Sequence, residues 1–182
     1  MDNLLLEIGA EEIPAGYIRP ALTALSCALL QKLSDARIEH GDAQVYGTPR
    51  RLAVNVENVV RKQKSIKSEV IGPPAKVGFD ENGKPTMAAQ KFAEKVGVSV
   101  NKLTEKETPR GSYLAAVKKE RGLATQTLLK EILPEVILSI PFPKKMRWAG
   151  LDIEFARPIH TILALLGKSI VPFYLGNVKS GR

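Results

Sequence analysis

The sequence places two adjacent arginines directly after a proline, in the stretch Thr48-Pro49-Arg50-Arg51. Proline fixes the turn, so two guanidinium groups are delivered together at the head of a strand. One interpretation is a clamp on phosphate, since guanidinium groups match phosphate geometry. The alternative is that strand alternation leaves Arg50 solvated and pairs Arg51 with a carboxylate. Sequence alone leaves both open.

A second cationic stretch surrounds the single tryptophan of the chain, in Lys144-Lys145-Met146-Arg147-Trp148. Cations beside an aromatic ring can hold phosphates while the ring stacks on an unpaired base. The alternative is that Trp148 belongs to the core and its cationic neighbours extend to water. Further on, Arg157 stands between a predicted strand and a predicted helix, where it could bind phosphate or brace the turn.

Other residue patterns do not form a catalytic or metal site. Gly167-Lys168-Ser169 resembles the end of a phosphate-binding loop, but Ile162 stands where that motif requires glycine. Glu11 and Glu12 are adjacent and have no apparent histidine partner, so we interpret them as charges near the start of a helix. The two histidines, His40 and His160, lack ligand-like neighbours. We therefore assign no catalytic and no metal-binding residue.

Charge is concentrated in two blocks. Residues 50–67 hold six Lys/Arg against one Asp/Glu, and residues 144–182 hold seven against two. This distribution is expected if part of one face meets a polyanion, although a solvated surface would look similar. The composition is 44% hydrophobic with one cysteine, Cys27, and no long apolar run. These features predict a folded, soluble protein in a reducing cytoplasm.

The elements that must position these residues follow from apolar spacing. We predict a strand over Asn3–Gly9, a helix over Pro20–Ala36 with Pro20 in its first turn, and a hairpin joining Ala43–Tyr46 to Leu52–Val56. The basic stretch over residues 61–69 and the breaker Gly72-Pro73-Pro74 predict an exposed connection.

The second half of the chain mixes helices and strands. The predictions are a turn over Asp80–Lys84, a helix capped by Thr86 and closed by Gly97, a loop over Ser99–Gly111, a strand over Tyr113–Lys118, a helix capped by Thr125, strands over Met146–Trp148 and Asp152–Phe155, a helix over Pro158–Leu166 and a strand over Ile170–Leu175. This order favours an α+β fold with mixed, largely antiparallel strands and packed helices.

The motifs, taken in order, resemble the bacterial glycyl-tRNA synthetase beta subunit family. The resemblance rests on these stretches: LLLEIGAEEIP (Leu4–Pro14), YGTPRRLAV (Tyr46–Val54), IGPP (Ile71–Pro74), KKMRW (Lys144–Trp148) and FARPIHTILALLG with VPFYLGNVKSGR. It spans essentially the whole chain.

The resemblance implies a part in ATP-dependent attachment of glycine to its tRNA. Family members work as alpha2beta2 heterotetramers, with the catalytic core, ATP and Mg²⁺ on the alpha subunit and tRNA binding on the beta subunit. The partners are then glycine tRNA and the alpha subunit, with no membrane and no DNA. Residues 1–182 would be the amino-terminal region of a longer chain, with an internal boundary near residues 61–74, inactive in aminoacylation by itself.

The resemblance does not say which residues touch RNA. From charge and placement we expect contacts from Arg50, Arg51, Lys144, Lys145, Arg147, Trp148 and Arg157. Two other functions remain open at this point. An RNA-binding module unrelated to aminoacylation would show the same basic blocks, and a docking scaffold would use the apolar and acidic first third of the chain.

Overall fold

The structure, a computed structural model, describes residues 1–80, 84–109, 111–150 and 152–181. The chain divides into two compact units: unit 1 contains Met1–Lys64 and Leu123–Arg182, and unit 2 contains Ser65–Gly122. The elements in chain order are β1 (Asp2–Ala10), α1 (Ala15–Asp35), β2 (Ala43–Thr48), β3 (Arg51–Val59), β4 (Ile66–Pro74), α2 (Ala75–Gly78), α3 (Met87–Val96), β5 (Thr104–Thr108), β6 (Gly111–Glu120), α4 (Thr125–Ser139), β7 (Ile159–Leu166), β8 (Ser169–Ile170), β9 (Tyr174–Leu175) and β10 (Val178–Gly181). The predicted α+β class is confirmed.

Unit 1 is built around β1, which pairs antiparallel with β3 on one side and β7 on the other. The full sheet has the order β2-β3-β1-β7-β10-β9, and β8 pairs with β7. Alternate residues Leu4, Leu6 and Ile8 are completely buried and share one core with the apolar faces of α1 and α4. The strand predicted at Asn3–Gly9 and the hairpin that follows α1 are confirmed.

Both helices of unit 1 begin differently from the prediction. Pro14, with the extended backbone that precedes a helix, is the N-cap of α1, so the helix starts at Ala15 and Pro20 lies in its second turn. Thr125 was expected to cap α4, but Ala124 is the N-cap. The Thr125 hydroxyl instead donates to the Val60 carbonyl at 2.6 Å, so it ties α4 to the end of β3.

The helix predicted over Pro158–Leu166 was wrong, because this segment is strand β7. Ile162, Ala164 and Leu166 face the core, while Leu163 and Leu165 are half-buried on the opposite face of the sheet. A strand that is apolar on both faces has no period-2 alternation, and its apolar run also fits helical spacing. Periodicity therefore could not separate the two structures.

The flanking strand predictions were only partly right. In place of the strands predicted over Met146–Trp148 and Asp152–Phe155, the structure has one antiparallel bridge between Met146 and Phe155. The strand predicted over Ile170–Leu175 is two short strands, β8 and β9. Residues 171–173 belong to neither strand, and Pro172 among them cannot donate to a strand ladder.

Unit 2 is a three-stranded antiparallel sheet in the order β4-β6-β5. Helix α3 packs on one face through Ala89, Phe92 and Val96, against Leu114 and Ala116 of β6. Gly97 ends α3 in the left-handed conformation, at φ 74°, as predicted.

Two predictions for unit 2 were wrong, and a third falls on residues that the structure does not describe. Ile66–Pro74 was expected to be a connection ended by a breaker, but it is the edge strand β4. The loop predicted over Ser99–Gly111 contains a 3-10 helix at Val100–Lys102 and strand β5. Edge strands expose much of their surface, so their polar residues hide the apolar alternation. The turn predicted over Asp80–Lys84 falls, at residues 81–83, outside the described residues.

Across the described residues, none of the helices is long and apolar enough to span a membrane.

Candidate nucleic-acid interface

One end of the unit 1 sheet brings together sequence motifs that are far apart along the chain. Because β1 is antiparallel to both neighbours, its last residues meet the first residues of β3 and β7. The backbone N–H of Ala10 donates to the Arg50 carbonyl at 3.0 Å, and that of Glu11 donates to the Pro158 carbonyl at 3.1 Å. This end of the sheet therefore holds Glu11, Glu12, Arg50 and Arg157 together.

Glu12 is the common partner of the two arginines. Its carboxylate accepts a bond from Nη2 of Arg50 at 3.0 Å, and its backbone carbonyl accepts one from Nε of Arg157 at 3.2 Å. Arg157 also donates to the Ala156 carbonyl at 3.0 Å. The structure thus favours the bracing role for Arg157 while leaving the Arg50 side chain 72% exposed.

The tryptophan stretch lies beside Arg157. Met146 and Phe155 exchange two backbone hydrogen bonds, of 2.8 and 3.2 Å, and Nη1 of Arg157 lies 4.0 Å from the Met146 sulfur. Arg147 forms ion pairs with Glu154, at 3.0 Å, and with Asp152, at 3.4 Å.

The remaining cations differ in how they are partnered. Arg51 lies 3.6 Å from the Glu7 carboxylate, which agrees with the paired alternative considered for it. Lys144 and Lys145 are exposed and make no ion pair with any residue that the structure describes. These two lysines can therefore bind an anion without first losing a carboxylate partner.

Trp148 is half-buried and packs against the core of unit 1. Its Nε1 is buried, and it has no hydrogen-bond partner among the described residues. A ring that packs against the core offers little face to a base, so this geometry supports the core alternative for Trp148.

One contact here was missed by sequence reasoning, and one interpretation was wrong. Glu11 was thought to lack a histidine partner, yet its carboxylate lies 3.6 Å from Nε2 of His160. The helix-start interpretation of Glu11 and Glu12 was also wrong, since the first turn of α1 contains no acidic residue. Together with Ala10 and Arg50 these side chains line an open cleft of about 490 Å³. Only the pairing of β1 with β7 could have revealed the Glu11–His160 contact.

The arrangement can bind an anion through the exposed guanidinium of Arg50. Ion pairs as exposed as Arg50–Glu12 contribute only about 0–1 kcal/mol, so a phosphate group can compete for the guanidinium. Within the described ranges there is no cluster of three His, Cys, Asp or Glu residues that could hold a metal ion.

Comparison with known proteins identifies the family. The family profile described as glycyl-tRNA synthetase beta subunit matches residues 4–182. The chain is 56% identical over 182 residues to the glycine–tRNA ligase beta subunit of Desulfatibacillum aliphaticivorans, covering 100% of this chain and 26% of that protein. It is 51% identical over 180 residues to the Desulforapulum autotrophicum protein of the same name and 46% identical over 180 residues to that of Myxococcus xanthus, covering 99% of this chain and 26% of each relative. The chain spans about a quarter of the length of these relatives, and it belongs to the glycyl-tRNA synthetase beta subunit family.

Proposed function

We propose that this chain contributes tRNA binding and subunit assembly to a cytoplasmic glycine–tRNA ligase. In this proposal the enzyme is an alpha2beta2 heterotetramer, and its alpha subunit performs the ATP- and Mg²⁺-dependent chemistry. The chain by itself does not aminoacylate tRNA. The proposal is supported by the family match over residues 4–182 and by the chain's cationic, carboxylate-partnered site.

The convergence of three family motifs at one end of the unit 1 sheet is the observation that carries the tRNA-binding role. The motifs containing Glu12, Arg50 and Arg157 meet there through backbone hydrogen bonds. Lys144 and Lys145 directly precede Met146, which the bridge to Phe155 holds beside this end of the sheet. Cations that are distant in sequence thereby come to one end of the sheet, where several of them can contact RNA phosphates.

In this proposal the cations divide into two classes. Lys144 and Lys145 meet phosphate directly, whereas Arg50, Arg51 and Arg147 each exchange a carboxylate partner for it. Breaking an ion pair with a carboxylate offsets part of the free energy that an arginine gains from phosphate. Each lysine should therefore contribute more to tRNA affinity than each arginine. Arg157 holds the backbone at Glu12 and Ala156 in place, and it contacts RNA only at the edge of the site.

The test is binding of the 182-residue chain to glycine tRNA and to an unrelated tRNA across a salt series, followed by fluorescence anisotropy. Lys144→Gln with Lys145→Gln should reduce the slope of log affinity against log salt by about 1 to 2, since each lost phosphate contact removes about 0.9. Arg19→Gln with Lys130→Gln is the matched control, because it removes the same charge from exposed positions on α1 and α4. Equal slopes for both variants and the unchanged chain would refute the assigned site.

Subunit assembly is supported by a different surface, the face of the unit 1 sheet opposite α1 and α4. Leu5, Leu163 and Leu165 are half-buried there, and Ile170 is 40% exposed beside them. A sheet face with this many apolar side chains is typical of one that another element covers.

Co-purification with the alpha subunit tests this second role. Leu163→Gln with Ile170→Gln should reduce the amount of alpha subunit recovered, while Val77→Gln, an exposed apolar position in unit 2, should not. Recovery that is unchanged, with unchanged thermal unfolding of the variant, would leave the chain as an RNA-binding module without this docking role.

A further inference from the structure

Unit 2 has an uncovered sheet surface of its own. Helix α3 packs against Leu114 and Ala116 of β6, so the residues that alternate with them point to the opposite face. We call this opposite face the outer face. Its side chains include those of Lys67, Glu69, Ile71, Lys106, Tyr113, Val117 and Lys119, with the buried Ala115 between Ile71 and Thr104.

Two lysines on the outer face stand directly opposite each other. Lys67 of β4 and Lys119 of β6 are cross-strand partners, and both are exposed. Like charges in this position destabilise a sheet, and neither lysine has an ion pair among the described residues. Other lysines of the same sheet do have one: Lys106 pairs with Glu69, and Lys118, on the α3 side, pairs with Glu120 at 3.3 Å. The unpaired couple is therefore a local excess of positive charge.

The other end of the outer face is apolar and concave. Ile71, Thr108, Pro109 and Tyr113 line a pocket of about 330 Å³. Ile71 is 51% exposed, and Val117, between this pocket and the lysines, is 46% exposed. Tyr113 and Lys119 lie six residues apart on β6, which is roughly 20 Å along a strand.

We propose that the outer face binds an unpaired stretch of RNA, with a base in the Tyr113 pocket and backbone phosphates at Lys67 and Lys119. Aromatic and apolar surface takes the flat face of a base, and paired lysines take the charge beside it. A double helix would present its phosphates but keep its bases stacked, so it could not fill the pocket. The inference rests on the proposed function in one respect, namely that the chain meets RNA.

The experiment uses the 182-residue chain with a labelled 12-nucleotide RNA of unstructured sequence and with an RNA duplex of the same length. Lys67→Gln with Lys119→Gln should weaken binding of the single strand about tenfold at low salt and reduce its salt slope by about 1.4, which corresponds to two contacts of about 0.7 each. Lys95→Gln with Lys118→Gln, on the α3 side of unit 2, is the matched control and should change little. Tyr113→Ala should weaken binding and Tyr113→Phe should not, with thermal unfolding confirming that each variant folds.

Three results would overturn the inference. They are single-strand affinity unchanged by the Lys67 and Lys119 variant, an equal loss in the Lys95 and Lys118 variant, or duplex bound as tightly as the single strand. The Lys144 and Lys145 variant separates this inference from the proposed function. If it alone weakens tRNA binding, the unit 2 site is wrong and the proposed function stands. If only the Lys67 and Lys119 variant acts, the unit 1 site is wrong and the outer face remains.

Discussion

Arg50 and Glu12 form an ion pair across 38 positions of sequence, with 3.0 Å between Nη2 of the arginine and Oε1 of the glutamate. Both side chains are more than two-thirds exposed, at 72% and 71%. The carboxylate occupies the guanidinium edge that a phosphate would use, so Glu12 restrains the anion affinity of the site that it helps to build.

Neutralising Glu12 should therefore strengthen tRNA binding. We expect Glu12→Gln to raise affinity at low salt by up to about fivefold, since an exposed pair contributes about 0.2–1 kcal/mol. The slope against salt should become steeper as Arg50 gains a phosphate. Glu131→Gln, an exposed glutamate on α4, removes the same charge elsewhere and serves as the control in the anisotropy assay. A similar gain in both variants would mean that overall charge, and not Arg50, sets the affinity.

Gly47 permits close packing of α1 on β2. A Cβ at this position would lie 2.7 Å from Cγ2 of Ile18 and 2.7 Å from Cδ1 of Leu22. Gly47→Ala should lower the free energy of unfolding by about 1–3 kcal/mol, the usual cost of overpacking. Gly16→Ala, within α1 and with open space around its Cβ, should raise it by up to about 1 kcal/mol. Urea unfolding followed by circular dichroism measures both, and a neutral Gly47→Ala would show that α1 shifts to make room.

Asp2 should make stability depend on pH at the acid end. The Arg61 guanidinium, which donates hydrogen bonds to the Asp2 carboxylate, holds the pKa of that carboxyl below its usual range. The unfolded chain then binds the proton at higher pH than the folded chain, so this stabilisation is present above the unfolded pKa and is lost as pH falls through the folded pKa.

Asp2→Asn should accordingly flatten the loss of stability that begins at about pH 5 and continues as pH falls through the unfolded aspartate pKa of about 3.9. It should also lower stability at neutral pH. Asp42→Asn, an exposed carboxylate without an ion pair among the described residues, is the matched control. Denaturant unfolding at a series of pH values gives the comparison, and parallel acid limbs for Asp2→Asn and the unchanged chain would contradict the role assigned to Arg61.

Substitutions of Trp148 distinguish a role in the core from a role in base stacking. Trp148→Leu should lower the free energy of unfolding by about 2 kcal/mol through lost apolar contact, and tRNA affinity should not change. Trp148→Phe should preserve both, because it also removes the buried Nε1 that has no partner within the described chain. Reduced tRNA affinity in a stable Trp148→Leu variant would instead identify Trp148 as a base platform.

The sequence predicted those elements whose apolar pattern is decided locally. β1 is a short apolar run ended by glycine, and α3 shows both helical spacing and a glycine terminator. The β7 prediction was wrong because a second apolar face removes the alternation. The β4 prediction was wrong because the strand ends in Gly72-Pro73-Pro74, and the β5 prediction because this edge strand is almost entirely polar.

The candidate site shows a similar division. Arg50 and Arg157 could be singled out from their neighbours in sequence, but their shared partner Glu12 could not. That contact, like Glu11 with His160, arises only when β1 lies between β3 and β7. Strand order depends on contacts between distant parts of the chain, so it cannot be predicted from the motifs alone.

The insertion of unit 2 between the two parts of unit 1 fixes the order in which a nascent chain can fold. β1, α1, β2 and β3 leave the ribosome first, but β7, which pairs with the other edge of β1, is made only after all of unit 2. Every strand partner within unit 2 is already present by then, so unit 2 can close while β1 still has an open edge. β1, β2 and β3 therefore wait during synthesis with one edge of the apolar strand β1 unpaired, and this open edge is a binding site for a chaperone.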